Sequence, residues 1–112
     1  KDISKERAEI LWNEYAPEYI ERMVRAFVPW PIAWCRLGND LPNHLKGKLI
    51  KIFKGDLVNN ETDREAGSLF SQDDMVLFAT RDNSVCLRVL EFQIEGKNIA
   101  KEEVLKHSLK DP

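Results

Sequence analysis

The stretch Arg25-Ala26-Phe27-Val28-Pro29-Trp30-Pro31-Ile32-Ala33-Trp34 constrains this chain more than any other. Pro29 and Pro31 fix their own φ and push Val28 and Trp30 out of the helical region, so a helix that runs into the stretch must stop there. The residues that follow favour strands, which makes the stretch a corner between helix and sheet. Trp30 and Trp34 offer more apolar area than any other pair, and in a chain of 112 residues their burial would decide where helix and sheet meet. Phe27, Pro29, Trp30, Pro31 and Trp34 are therefore expected to form a packed corner. Direct stacking of a ligand on Trp30 is the alternative.

Before the corner, Pro17 suits the first turn of a helix and Glu18 follows on the favourable side of the helix dipole. Ile20, Met23, Val24 and Phe27 fall on one face at helical spacing, while Glu18/Arg22 and Glu21/Arg25 can pair on the other. Residues 1–14 carry Ile10 and Trp12 among charges and are expected to be an extended arm or interdomain linker. Residues 15–112 then form one domain, in keeping with the length.

After the corner, strands are expected over Ile32–Leu37, Lys48–Lys54, Gly67–Phe70, Met75–Thr80 and Val85–Ile94. The apolar alternation Val85, Leu87, Val89 changes parity to Leu90, Phe92, Ile94, which predicts a bulge near Val89. Arg81-Asp82-Asn83-Ser84 suits a hairpin tip. A closing helix over Lys101–Leu109 is expected to point Val104, Leu105 and Leu109 inward. The fold class is mainly β with flanking helices: a small open barrel, OB-like, with an N-terminal helix packed on it and a short C-terminal helix.

The net charge is −2, which weakly disfavours nucleic acid, yet the average conceals an asymmetry. Between Arg36 and Lys54, the cations Arg36, Lys46, Lys48, Lys51 and Lys54 stand against Asp40 alone. From Leu57 onward, seven basic residues face eleven acidic ones. Alternating lysines on a strand are either its wet face or a phosphate-binding stripe. Cys35 and Cys86 lack metal-ligand spacing and suit small buried hydrophobes, a disulfide being the disfavoured alternative. His44 and His107 have no catalytic partner in sequence and are expected at the surface. No apolar run approaches the roughly 20 residues of a membrane helix, and a cytoplasmic location is expected, with no membrane or DNA partner.

Taken in order, these residues resemble the C-terminal domain of methionyl-tRNA formyltransferase, of the formyltransferase C-terminal domain family. The resemblance rests on Ile3-Ser4-Lys5-Glu6 with Ala8, Ile10 and Trp12, on Arg25-Ala26-Phe27, Pro29-Trp30-Pro31 and Ala33-Trp34, and on Gly47-Lys48-Leu49-Ile50-Lys51-Ile52. Ala79-Thr80, Leu87, Gln93 and Gly96-Lys97 follow in the family's order. It implies a barrel behind an N-terminal formyl-transfer domain that uses 10-formyltetrahydrofolate, with initiator tRNA as partner and translation initiation as the process. No catalytic residue and no metal ligand carries over, because no Asn-x-His pattern, phosphate loop or nucleophile–base pair occurs in the chain.

Under that resemblance, Lys5, Arg7, Arg36, Lys48, Lys51, Lys54 and Lys97 are the candidate tRNA-binding residues, each contacting phosphate as a point charge. The other reading is a structural or oligomerisation C-terminal domain of a folate-dependent formyltransferase acting on a small molecule such as an amino sugar. There the lysines serve only solubility.

Overall fold

The computed structural model describes residues 5–110; the first four residues of the expected arm, with the Ile3-Ser4 of the resemblance, lie outside the described residues. The chain enters as a short 3-10 turn, Lys5–Ala8, rather than as an extended segment. Ile10 and Trp12 are buried, and the Ile10 N–H donates to the Trp34 carbonyl at 2.8 Å. Helix α1, Pro17–Ala26, starts with its proline in the first turn and buries Ile20, Met23 and Val24. On its outer face Arg25 grips Glu21 through two hydrogen bonds of 2.6 and 3.0 Å. No ion pair joins Glu18 and Arg22 among the described residues.

The strands are β1 (Ala33–Arg36), β2 (Leu49–Asn59), β3 (Leu69–Gln72), β4 (Met75–Ala79), β5 (Val85–Ile94) and β6 (Ala100–Lys101), followed by helix α2 (Glu102–Lys110). They form one antiparallel sheet in the order β1-β2-β5-β4-β3. β5 has β2 along one edge, while β4 and β6 follow one another along the other. The ladder does not close, so β1 and β3 are edges; a bridge from Glu9 to Trp34 covers the β1 edge. The mainly β, open-barrel architecture with one helix at each end is as expected.

The parity change near Val89 takes the form of two offset irregularities. Ile52 pairs with Phe92, Lys54 with Glu91 and Gly55 with Val89, so Phe53 is extra on β2 and Leu90 extra on β5. The inward set on β5 is accordingly Leu87, Val89, Phe92 and Ile94, with Leu90 half-buried between them. The two bulges coil both long strands at one point, the usual device for curving a sheet around its core.

The main core gathers α1, the inward faces of the strands and Leu105 of α2. A second cluster, Phe70, Leu77, Ala79 and Cys86, lies on the opposite face of β3–β5, with the Arg64 guanidinium 4.2 Å from the Phe70 ring centre. β4 is thus buried on both faces, which is why it is an unbroken apolar run. Cys35 and Cys86 are free buried thiols in separate clusters; desolvation pushes the Cys35 thiol up to about 12.

Two expectations about burial are corrected. Trp30 is 62% exposed and does not join the core. The Ile32 N–H donates to the Phe27 carbonyl at 2.9 Å, which closes residues 28–31 into a loop outside the seam; Pro31 and Ile32 turn inward while Val28, Pro29 and Trp30 face solvent. The tryptophan that anchors the core is Trp12, stacked on Phe78 at 4.6 Å between ring centres. Val104 is 56% exposed, because α2 packs through Leu105 and Leu109 and leaves Val104 on its outer face. His44 is exposed, as expected, and donates from Nε2 to the Ser108 carbonyl at 2.8 Å, which ties the loop before β2 to α2.

Candidate functional site

The period of two along a strand places Trp34 and Arg36 of β1 on the outer face, because Ala33 and Cys35 point into the core. On β2 the same rule sends Ile50 and Ile52 inward and Lys51 outward. Trp34 pairs with Lys51, and Lys51 pairs with Gln93 of β5, so these three side chains form one outward row across three strands. The next row along the face is Arg36, Leu49 and Glu95.

The Trp34 indole N–H donates to the Lys5 carbonyl at 2.7 Å. That bond fixes the ring and brings Lys5 of the entering segment over the same face. Lys5, Arg36 and Lys51 consequently line one open groove of about 340 Å³, floored by Leu49, Gln93 and Gly96. Glu95 is the only acid among the described residues that line it. Its carboxylate accepts the Leu49 N–H and lies 3.3 Å from Arg36 Nη1. The backbone bond first, then the nearby charges of Arg36 and Lys48, hold its carboxyl below the usual range. Both partners of the ion pair are about half exposed, so the pair is weak and leaves Arg36 open to a competing anion.

A second groove of about 500 Å³ adjoins the first through the shared Lys5 and Lys51, and Trp30, Trp34 and Phe53 also line it. Of the other candidates, Lys48 does not line the groove, though its charge acts on Glu95. Lys54 does not share the Lys51 groove. The extra residue Phe53 returns Lys54 to the outward side, opposite Glu91, but further along the strand, where it lines a separate groove of mixed charge with Glu91, Lys101, Glu102 and Lys106. Lys97 lies by an apolar cleft of about 200 Å³ beside His44 and α2, and Arg7 is exposed on the entering turn. The fold thus brings together Lys5, Arg36 and Lys51 and leaves Lys48, Lys54 and Lys97 outside their groove.

Sequence reasoning did not single out Phe53, Gln93 or Glu95 as neighbours of these cations. Trp34-x-Arg36 and Lys51-x-Phe53 both carry the two-residue spacing of a single strand face, which is the signal that was available. It also passed over the bidentate pair of Arg88 with Glu102, at 2.9 and 2.8 Å. Glu102 accepts the Val76 N–H as well, and so joins α2 to β4 and β5. The Arg88 hydrogen bond, then the Val76 N–H and the nearby positive charges, hold its carboxyl below the usual range against the opposing effect of burial.

Among the described residues there is no cluster of histidine, cysteine and carboxylates able to hold a metal ion, and no helix long and apolar enough to cross a membrane. The apolar cleft beside α2, about 200 Å³, is below the ~300–1,000 Å³ typical of small-molecule sites.

Comparison with known proteins gives three findings. The family model described as formyl transferase, C-terminal domain, matches residues 2–108. Methionyl-tRNA formyltransferase of Idiomarina loihiensis (strain ATCC BAA-735 / DSM 15497 / L2-TR) is 29% identical over 99 residues, spanning 87% of this chain and only 29% of that protein. A crystal structure of a HypX variant from Aquifex aeolicus is similar with a TM-score of 0.68 at 18% identity, covering 99% of this chain and 19% of that one. The last is a likeness of fold.

Proposed function

Because the chain belongs to the formyl transferase C-terminal domain family, we propose that it is the tRNA-binding accessory domain of a methionyl-tRNA formyltransferase. Its task is to hold initiator Met-tRNA for a catalytic domain that precedes it in the whole protein. The observation that carries this reading is the convergence of Lys5, Arg36 and Lys51 on one open groove, from three separate parts of the chain. A groove with cations at its walls tracks a phosphate backbone; it positions RNA without reading sequence. Formyl transfer from 10-formyltetrahydrofolate belongs to the upstream domain, and no step of it is assigned to residues here.

Titration of initiator tRNA into the chain at low and moderate salt tests the proposal. With about three phosphate contacts, log affinity should fall with log salt at a slope of about −2 to −3. The triple substitution of Lys5, Arg36 and Lys51 by alanine should abolish most binding, and unaltered binding would defeat it. The structural-domain reading is favoured by one observation, the net charge of −2, which weakens the long-range field any RNA would meet. It predicts no tRNA binding at low salt.

A further inference from the structure

We propose that the groove between Trp30 and Lys51 is a stacking subsite for one unpaired nucleotide of an RNA strand, a proposal that rests on the RNA-binding reading above. Trp30 stands 62% exposed, held between two prolines whose rings fix the backbone on either side of it. An aromatic ring presented on a stiff loop loses little freedom when a planar group lies on it. Trp30 stacks on no other described aromatic ring; the ring pairs of the fold are Trp12 with Phe78 and Tyr15 with Tyr19. Its ring is therefore largely exposed and covered by no other described aromatic. Trp34, oriented by its bond to the Lys5 carbonyl, and Phe53, two residues on from Lys51, complete an apolar wall.

The chemistry of the lining selects the occupant. Lys5 and Lys51 are its charged members, and no carboxylate among the described residues lines it. A ligand with a flat π face and a negative group matches three aromatics flanked by two ammonium groups, and a nucleotide has both. The same two lysines also line the groove with Arg36. A strand whose phosphates follow Lys5, Lys51 and Arg36 would bring an adjoining base over Trp30. Only an unpaired base can do so, since a base in a duplex has its faces covered by its neighbours.

The test compares an unstructured single-stranded RNA oligonucleotide with a blunt RNA duplex of the same length, by fluorescence anisotropy at low salt. The proteins are the 112-residue chain and its Trp30→Ala, Trp30→Phe and Lys51→Ala variants. Trp30→Ala should weaken single-strand binding about tenfold and leave duplex binding within about twofold, while Trp30→Phe retains most of the affinity. Lys51→Ala should weaken both RNAs. If single-strand affinity is unchanged in Trp30→Ala but falls in Lys51→Ala, the phosphate groove stands and the stacking subsite is overturned. Equal weakening of duplex and single strand by Trp30→Ala would also overturn the subsite. Absence of binding to either RNA overturns both readings.

Discussion

Trp34 and Lys51 lie directly opposite one another on β1 and β2, both on the outward face of the sheet. The pairing couples the helix–sheet corner to the basic strand. The same ring reaches the Lys5 carbonyl, so one tryptophan gathers the entering segment, the edge strand and the central strand around a groove. Opposed pairs on one sheet face are the unit by which strands support each other, and here the unit also sets the spacing of two cations.

This arrangement separates lysines that sequence alone places together. Lys51→Ala should weaken tRNA binding several-fold and reduce the magnitude of the salt slope by about one contact. Lys54→Ala, on the far side of the Phe53 bulge, should leave affinity within about twofold. Equal effects of the two substitutions would show that the groove lined by Lys5 and Arg36 is not the contact surface.

Glu95 is the one acid among the described residues of that groove. Glu95→Gln keeps an oxygen to accept the Leu49 N–H and releases Arg36 from its ion pair, so tRNA affinity at low salt should rise about two- to fivefold. The gain should vanish at high salt, where the field is screened. A fall in affinity would mean that Glu95 positions Arg36 for its phosphate rather than competing with it.

The Arg88–Glu102 pair predicts a pH dependence of stability. The carboxyl of Glu102 is held below its ordinary value of 4.5 in the fold, so the unfolded chain binds this proton more readily. Its contribution is fully present above pH 4.5 and is lost as pH falls through the depressed folded value. Thermal unfolding followed by circular dichroism should show Tm falling in that acid window. Glu102→Gln should cost about 1–3 kcal/mol at neutral pH, since it leaves Arg88 without its charge partner, and should flatten the acid dependence.

Trp12 and Trp30 should respond in opposite ways to truncation. Trp12→Ala removes the ring stacked on Phe78 and should cost about 3–5 kcal/mol, measured by urea denaturation. Trp30→Ala should stay within about 0.5 kcal/mol of the parent because its ring faces solvent.

Gly67 touches the same core ring. It has φ +92°, and a Cβ there would meet Trp12 Cδ1 at 3.0 Å, so Gly67→Ala should destabilise by about 1–3 kcal/mol. A neutral Gly67→Ala would mean that the Trp12 ring can shift at no cost.

Local chemistry was enough to place the helix boundaries and the turns, but not the length of β2, which runs to Asn59 rather than Lys54, nor the short β6. Pro17 opens α1, the two prolines around Trp30 end it, Asp82 caps the Ser84 turn, and the alternation of β5 announces its own bulge. These features depend on backbone restriction and side-chain period, which act within a few residues and are visible in a linear chain. The resemblance built on the proline-tryptophan stretch also agrees with the family match. What only the tertiary structure decided is which side chains share a surface. Burial of a tryptophan depends on whether a partner reaches it from elsewhere. Phe78 meets Trp12, while the hydrogen bond between Ile32 and Phe27 leaves Trp30 outside. The company of a lysine likewise depends on strand register, which sets Lys51 beside Lys5 and Arg36 and sets Lys54 beside Glu91 and the start of α2. Register is a relation between distant segments, so it is set by the packing of the whole core and not by any stretch of sequence read alone.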